Sequence, residues 1–350
     1  MKLTSKKPLG NTGLVVPQVV YGTSYLGNLY TALPYQDKLA LMKKWFECTE
    51  KPIVIDTAGK YGAGLALEVI GQGLTDLGID PEDIIISNKL GWYRVPLTSD
   101  EPTFEPGVWA DLENDCIQTF GYDGIIKCFE QGNVLLGGVY KSELASVHDP
   151  DEYLLAARDP GERYSRFIEI LESYRALFDL KSEGKVKSVG IGSKDWTIIK
   201  ELYAHVPFDW VMFANSFTII CHPEDLLSFM DELDENGVGI INSAVFHGGF
   251  LTGGNKFDYQ DIDPKSEKGE IIYNWRDAFN NICAEYNVEP GDACLHFGLS
   301  HPAIVSIALN TSKPEKMNRN VEIISRKIPE VFWKALREEG LIDPEYTYIY

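Results

Sequence analysis

Short apolar segments alternate with longer amphipathic segments along most of this chain of 350 residues. The short apolar segments predict buried strands, because strands are short and parallel sheets are apolar on both faces. Between them, apolar residues recur at helical spacing, which predicts helices that bury one face. The predicted strands cover residues 18–22, 53–56, 84–89, 144–148, 186–192, 210–214, 239–244 and 304–309. The predicted helices cover residues 36–47, 65–77, 166–181, 196–203, 224–236, 277–286, 292–300 and 314–324.

The strand–helix unit recurs about eight times, which favours parallel βαβ units closed into a (β/α)8 barrel. No G-x-G-x-x-G motif follows an early strand, which argues against a Rossmann domain. We therefore predict an α/β fold in which residues 1–350 form a single TIM-barrel domain with a C-terminal extension. Long βα loops are predicted after strand 3 (residues 91–143) and after strand 7 (residues 250–274). Barrel enzymes place their sites at strand C-terminal ends, so we expect both loops to border the site.

The composition is that of a globular protein, with 44% apolar and 24% charged residues. No segment approaches the ~20 consecutive apolar residues of a membrane helix, and the polar N-terminus lacks a signal-peptide core. A cytoplasmic location is therefore expected. The net charge of −20 argues against nucleic acid and anionic membranes as partners. The cysteines form no C-x-x-C pair, so we expect neither a disulfide framework nor a metal site.

Polar residues of complementary type fall at the C-terminal ends of consecutive predicted strands. Asp56, Lys89 and His148 end the second, third and fourth strands, and Tyr61 lies in the turn after Asp56. Alone, each has an ordinary explanation as a helix cap, a packed ring, a lysine reaching solvent or a hydrogen-bonded imidazole. Together, they are expected to converge on one rim of the barrel.

This combination predicts proton transfer beside a carbonyl or hydroxyl group. A tyrosine with its ordinary pKa of about 10 is a poor acid or base at neutral pH, but a neighbouring ammonium lowers that pKa. Lys89 can supply this charge while Asp56 orients it, so we expect a lowered pKa for Tyr61. His148 can hydrogen-bond the substrate oxygen or share the proton. Hydride transfer to or from a nicotinamide needs such groups.

These motifs resemble the aldo-keto reductase family. The matching segments are 22–23 (GT), 56–64 (DTAGKYGAG), 68–71 (EVIG), 87–89 (SNK), 147–149 (VHD), 189–192 (VGIG) and 243–253 (SAVFHGGFLTG). The resemblance implies that Tyr61 is the general acid/base, that Lys89 and Asp56 tune it, and that His148 orients the substrate. It also implies an NAD(P) cofactor. The residues implied to bind it are Gly22, Thr23, Asp56, Ser193, Asn215, Ser243, Gly249, Leu251, Lys316 and Asn320.

Further segments are similar to a branch of the family that includes D-threo-aldose 1-dehydrogenases (L-fucose dehydrogenases). Pyridoxal and L-galactose dehydrogenases are similar as well. The segments are 122–125 (YDGI), 148–151 (HDPD), 242–253, 301–303 (HPA) and 332–342 (FWKALREEGLI). The branch oxidises the anomeric carbon of a free sugar to a lactone, which implies an aldose of the L-fucose, L-galactose or D-arabinose type. The residues expected to bind substrate are Tyr25, Tyr61, Trp92 and His148. Residues 91–143 depart from many members and are expected to reshape the pocket.

NAD is expected as the cofactor, with NADP possible. In this family the adenosine end lies at the last strand and the following helix, here residues 308–321. NADP-specific relatives place fixed cations there for the 2′-phosphate. This chain offers Lys313 and Lys316 as mobile charges, and the sequence leaves open whether Arg319 faces the ribose or solvent.

Two other functions stay open at this point. The same residues serve an NADPH-dependent reductase of aldehydes or ketones, and potassium-channel β-subunits show that a relative can be a cofactor-binding regulatory subunit. A neutral sugar is expected rather than a phosphorylated one, because the net charge of −20 repels anions and no basic cluster appears at the predicted strand ends apart from Lys89 and Arg94. A monomer or a homodimer is expected.

Overall fold

Eight parallel strands close into a barrel surrounded by helices, which confirms the predicted fold class. The computed structural model describes residues 2–258, 260–324 and 326–349. The strands are β1 (Lys6–Pro8), β2 (Val15–Pro17), β3 (Val19–Gly22), β4 (Ile53–Ala58), β5 (Ile84–Leu90), β6 (Trp92–Pro96), β7 (Asn114–Gln118), β8 (Ser142–His148), β9 (Ser188–Ser193), β10 (Trp210–Ala214), β11 (Gly239–Ser243), β12 (Lys256–Phe257), β13 (Gln260–Asp261) and β14 (Ile304–Leu309).

The helices follow the barrel strands in the alternation that the sequence predicts. They are α1 (Tyr35–Cys48), α2 (Leu65–Asp76), α3 (Tyr122–Leu135), α4 (Pro150–Leu155), α5 (Pro160–Ser182), α6 (Trp196–Tyr203), α7 (Glu224–Glu235), α8 (Glu267–Glu285), α9 (Pro290–Gly298), α10 (Pro314–Ile323) and α11 (Glu330–Glu338). The barrel order is β3-β4-β5-β8-β9-β10-β11-β14, with β14 paired to β3. Strands adjacent in this order are parallel, so their C-terminal ends share one rim.

An N-terminal hairpin closes the opposite end of the barrel. Strands β1 and β2 pair antiparallel, and Leu9 between them is fully buried. Leu9 and Val16 pack with Val20 and Trp210 of the barrel in one apolar cluster. Because apolar side chains fill this end, access to the interior is left to the C-terminal rim.

The segment 91–143 is not one long connection, as the sequence had suggested. It begins with the antiparallel hairpin β6–β7 and ends with helix α3, which packs on α5. Gly124 and Gly132 interrupt the apolar pattern of α3, which is why the helix was missed. A Cβ at Gly124 would lie 2.8 Å from the carbonyl oxygen of Thr119, and one at Gly132 would lie 2.6 Å from Asn88 Nδ2. The two glycines thus allow α3 to lie close to Thr119 and Asn88. The part of the segment that is inserted into the barrel pattern is the hairpin β6–β7.

The loop predicted over residues 250–274 is also shorter than expected. It contains a 3-10 turn at Phe250–Thr252 and the small hairpin β12–β13, and α8 then begins at Glu267. Ser266 caps α8, since its Oγ accepts a hydrogen bond from the backbone N–H of Gly269 at 3.0 Å. After the last barrel helix, α11 packs on α8 as the C-terminal extension.

Close packing inside the barrel fixes the relative positions of the strands. Trp210 on β10 is fully buried, and the neighbouring strand β9 carries Gly190 beside it. A Cβ at Gly190 would lie 2.3 Å from the indole ring of Trp210. This space is therefore already filled by the tryptophan.

We predict that Gly190→Ala lowers the free energy of unfolding by about 1–3 kcal/mol, because it overpacks a filled core. Urea denaturation followed by circular dichroism measures the change. Gly291→Ala is the matched control, since a Cβ there meets only the Thr252 methyl group at 3.6 Å among the atoms of the described chain. Equal stability of the two variants would contradict the prediction.

Candidate active site

The four predicted catalytic residues, which we call the tetrad (Asp56, Tyr61, Lys89 and His148), come together at the C-terminal rim of the barrel. Asp56 lies on β4, Lys89 on β5 and His148 at the end of β8, and these strands are successive neighbours in the barrel. Tyr61 lies in the turn between β4 and α2. All of them line a cavity of about 580 Å³. The order of strands alone thus assembles groups that are far apart in the sequence.

Asp56 and Lys89 form a buried ion pair. Lys89 Nζ donates a hydrogen bond to Asp56 Oδ2, and Ser87 Oγ donates to Asp56 Oδ1 at 3.1 Å. Burial lowers the pKa of Lys89, but Asp56 and then Tyr61 raise it more, so the amine stays protonated. Gly192 on β9 leaves room for this side chain, because a Cβ there would lie 3.0 Å from Lys89 Cδ.

Lys89 also faces the ring of Tyr61. Its Nζ lies 5.0 Å from the ring centroid, within cation–π distance. Burial raises the pKa of Tyr61 above its ordinary value, and Lys89 only partly offsets this. The expectation of a lowered pKa was therefore wrong, because the sequence carried no measure of burial. The phenol is protonated at neutral pH and is a proton donor in this state.

His148 is buried against Tyr61, with ring centroids 5.6 Å apart and the rings nearly perpendicular. Burial, followed by the positive charges of Lys89 and Lys60, lowers the pKa of His148 well below its usual range. The imidazole is therefore neutral near pH 7. Its Nε2 lies 3.5 Å from Asp149 Oδ2, and its Nδ1 has no hydrogen-bond partner among the residues described.

The aromatic residues around the tetrad differ in part from those predicted. Tyr25 lines the cavity, as expected for a substrate contact, but Trp92 does not. Trp92 begins β6 and packs in the apolar cluster of the hairpin against Phe104, with the Lys60 ammonium 5.1 Å from its ring centroid. Trp109, from the loop between β6 and β7, lines the cavity in its place, with its ring 5.9 Å from that of Tyr61.

Charged side chains at the tetrad end of the cavity were not expected from the sequence. Lys60, Glu105, Asp149 and Lys194 line the cavity there, and Glu152 pairs with both lysines. We call these five residues the charge cluster. Lys60 Nζ lies 2.7 Å from Glu105 Oε1, 2.7 Å from Glu152 Oε2 and 3.7 Å from Asp149 Oδ2. Lys194 Nζ lies 2.5 Å from Glu152 Oε1 and 3.5 Å from Asp149 Oδ2.

The expectation that Lys89 and Arg94 are the cations at the strand ends was therefore wrong. Arg94 instead forms a two-pronged ion pair with Glu68, with bonds of 2.6 and 2.9 Å, and does not border the cavity as the described residues shape it. Lys60 directly precedes Tyr61, Asp149 directly follows His148 and Lys194 directly follows strand β9, so the sequence did place these three near strand ends. Glu105 carried no such signal, because the path of a long loop is not encoded in a periodic pattern.

The cavity extends from the tetrad to helix α10, and most of the residues predicted to hold a cofactor line it. They are Gly22, Thr23, Asp56, Ser193, Ser243, Gly249, Lys316 and Asn320. Asn215 and Leu251 do not line it in the described structure. Leu251 is fully buried in the core, and Asn215 is buried in a left-handed conformation.

The residues present fit a nicotinamide dinucleotide. The cavity is long, with the tetrad at one end and hydroxyl and amide side chains along its wall. At the far end, Lys313 and Lys316 line it at the N-terminus of α10, where free backbone N–H groups favour anions. Such a donor set suits a dinucleotide with its phosphates toward α10 and its reactive ring toward Tyr61.

Within the described part of the chain, every helix is too short or too polar to span a bilayer. No group of three or more His, Cys, Asp or Glu side chains suited to a metal ion occurs within residues 2–258, 260–324 and 326–349. The six cysteines are free thiols.

Comparison with known proteins gives relatives along almost the whole chain. It is 28% identical to pyridoxal 4-dehydrogenase of Microbacterium luteolum, over 98% of this chain and 99% of that protein. It is 25% identical to D-threo-aldose 1-dehydrogenase of Pseudomonas sp (94% and 96%) and 23% identical to L-galactose dehydrogenase of Arabidopsis thaliana (91% and 88%). Among solved structures, the holo form of an aldo-keto reductase from Bacillus halodurans matches with a TM-score of 0.69 and 16% identity, over 99% and 98% of the two chains.

The model of the Aldo/keto reductase family matches residues 18–339. This span begins just before β3 and ends after α11, so it contains the whole barrel and the tetrad. The chain therefore belongs to the aldo/keto reductase family.

Proposed function

We propose that this oxidoreductase oxidises a free aldose at C1 to the lactone, with hydride transfer to a nicotinamide cofactor. The observation that carries the proposal is the contact of Lys89 with both Asp56 and Tyr61 at one end of a cavity long enough for a dinucleotide. Two relatives, named as dehydrogenases of D-threo-aldoses and of L-galactose, support a sugar substrate, and a third is named as a dehydrogenase of pyridoxal.

The tetrad divides the chemical work between proton transfer and orientation. When bound along the cavity, a nicotinamide cofactor would supply the hydride acceptor for the C1 hydrogen and the electron pair of its bond. Tyr61 in its phenolate form takes the proton of the C1 hydroxyl group, and the C1–O bond becomes a carbonyl. Lys89 stabilises the phenolate, and Asp56 holds Lys89 in place. The neutral His148 supplies a hydrogen bond to the reacting oxygen.

The second candidate function is reduction of an aldehyde or ketone at the same site. The observation that favours it is the raised pKa of Tyr61, which keeps the phenol protonated at neutral pH and ready to donate. Oxidation needs the phenolate and is therefore favoured at higher pH. Comparing rates with aldoses plus NAD(P)+ and with aldehydes plus NAD(P)H distinguishes the two directions.

Several expectations stay predictions. They are the neutral rather than phosphorylated sugar, the cytoplasmic location, the monomeric or homodimeric state and the absence of nucleic acid and membrane partners. A role as a regulatory subunit without catalysis is disfavoured by the complete tetrad, since such a subunit has no use for a positioned proton donor. Failure to bind a nicotinamide cofactor would reopen it.

NAD is proposed as the preferred cofactor because acidic groups surround the candidate adenosine end. Arg319 Nη2 lies 3.3 Å from Asp292 Oδ1 and 3.7 Å from Glu289 Oε2, so its charge is already compensated. Both carboxylates line the cavity beside Lys316. A carboxylate accepts hydrogen bonds from ribose hydroxyls, whereas it repels a 2′-phosphate.

We predict that Tyr61→Phe reduces turnover at least tenfold and leaves cofactor affinity nearly unchanged, since general acid–base groups contribute ~10²–10⁴-fold. Steady-state rates and fluorescence titration with reduced cofactor measure the two quantities. Tyr164→Phe, which removes the hydroxyl of an exposed tyrosine on α5, is the control. A variant that keeps more than about a tenth of the rate would remove Tyr61 from the reaction.

We predict that Lys89→Met moves the pH–rate profile for sugar oxidation to higher pH. The ammonium lowers the pKa of Tyr61, so its loss lets that pKa rise and a higher pH is needed to form the phenolate. The measurement is kcat/KM against pH, with Lys127→Met on the exposed side of α3 as control. An unchanged profile would mean that Lys89 has only a structural role.

We predict that kcat/KM is higher with NAD+ than with NADP+ for one sugar, and that Glu289→Gln narrows the difference by removing a repulsive carboxylate. Kd values from fluorescence titration provide a readout independent of turnover. Glu285→Gln, on the exposed part of α8, removes the same charge elsewhere. A preference for NADP+ of more than about tenfold, worth ~1.4 kcal/mol, would contradict the proposal.

A further inference from the structure

The charge cluster takes no part in the proton transfer described above, although it borders the same end of the cavity. Lys60 directly precedes Tyr61 in the sequence, and Asp149 directly follows His148. The cluster is therefore attached to both tetrad residues that would face the substrate. Lys60 and Asp149 are almost fully buried, and charged groups withdrawn from water need polar partners, which the cluster supplies in part from within.

Glu105 is the member that the inserted hairpin contributes. It lies in the loop between β6 and β7, and its φ of 42° is in the left-handed region that non-glycine residues rarely adopt. Its Oε1 lies 2.7 Å from Lys60 Nζ, and its Oε2 accepts a hydrogen bond from Trp109 Nε1 at 2.7 Å. Both carboxylate oxygens are thus fixed while the residue still lines the cavity.

Trp109 connects Glu105 to the reaction centre. Its Nε1 donates a hydrogen bond to Glu105 Oε2, and its ring centroid lies 5.9 Å from that of Tyr61. Glu105, Trp109 and Tyr61 therefore line the same part of the cavity. A ligand that reacts at Tyr61 and lies along Trp109 presents its far side to Glu105 and Lys60.

The charges of the cluster favour a neutral hydroxylated ligand. Its three carboxylates outnumber its two ammonium groups, so oxygen acceptors exceed the internal cationic donors. Hydroxyl groups both donate to carboxylates and accept from ammonium groups, whereas a phosphate meets an excess of negative charge. The neighbouring tetrad residue His148 offers a further hydrogen-bonding group, because the Nδ1 atom of its buried ring has no hydrogen-bond partner among the described residues.

We propose that Glu105, together with Lys60, recognises the hydroxyl groups of the substrate that lie beyond the reacting carbon. These two side chains would determine specificity for a polyhydroxylated ring over a bare cyclic hemiacetal. This inference rests on the proposed oxidation of an aldose. It assigns a role to the hairpin insertion, whose tip carries Glu105 and Trp109 into the cavity.

The test compares two substrates that react at the same kind of carbon. One is the best aldose from a panel of L-fucose, L-galactose and D-arabinose, and the other is 2-hydroxytetrahydropyran, a cyclic hemiacetal without further hydroxyl groups. Glu105→Gln should lower kcat/KM for the aldose by about ten- to hundredfold, the usual effect of a lost hydrogen bond to a charged group. For 2-hydroxytetrahydropyran, the change should stay within about threefold.

Glu113→Gln is the matched control, because it removes the same charge from an exposed position of the same loop. It should leave kcat/KM for both substrates unchanged. Thermal unfolding curves establish that the variants fold. If Glu105→Gln does not fold, then Glu105→Asp, which keeps the charge and withdraws it by one methylene group, is compared on the same pair of substrates.

The possible outcomes separate this inference from the proposed function. If the wild-type protein oxidises no aldose, the proposed function fails, and the inference fails with it. If it oxidises an aldose but the Glu105 variant loses the same factor on both substrates, Glu105 only supports the loop and the inference alone is overturned. A selective loss on the aldose supports it.

Discussion

The buried ion pair between Asp56 and Lys89 is the interaction on which the site depends. Both side chains are almost inaccessible to water, so each charge is tolerated because the other is beside it. Removing one partner of such a pair typically costs ~3–5 kcal/mol, since the remaining charge is left uncompensated. The pair fixes an ammonium group beside Tyr61 and near His148, where it favours the tyrosinate and the neutral imidazole.

The barrel makes this pair possible by controlling which strands are neighbours. Asp56 and Lys89 lie on adjacent strands, and Gly192 on β9, two strands from β5, leaves space for the lysine because it has no side chain. The hairpin β1–β2 closes the other end with apolar side chains. The barrel strands therefore hold the tetrad above a closed apolar end, and the loops at the C-terminal rim can differ without displacing it.

The sequence predicted those parts of the structure that follow from periodicity and strand order. Asp56, Lys89 and His148 end successive apolar strands, and parallel packing then brings them together. Properties that depend on how deeply a side chain is buried, or on the path of a loop, could not be predicted from strand order. The pKa of Tyr61 was predicted in the wrong direction because burial outweighs Lys89.

Loop residues were equally difficult to predict, for a related reason. Trp92 and Trp109 are both aromatic residues of the same segment, and only the fold of the hairpin decides that Trp109 borders the cavity while Trp92 packs within the hairpin's apolar cluster. Helix α3 escaped detection because Gly132, required for its close approach to Asn88, weakens its pattern. In both cases, tertiary packing overrides the local signal.

The acidic composition of the chain also determines the charge of the cavity. A net charge of −20 suggests an acidic surface that serves solubility. Carboxylates also lie within the cavity, however, at both of its ends: Glu105 and Asp149 beside Tyr61, and Asp292 beside Arg319. At the tetrad end they compensate Lys60 and Lys194, and at the other end Asp292 compensates Arg319, whereas Lys313 and Lys316 at the N-terminus of α10 are the cations that the phosphates of a dinucleotide would meet. The same electrostatic arrangement therefore underlies the proposed preference for a neutral sugar at one end and for an unphosphorylated ribose at the other.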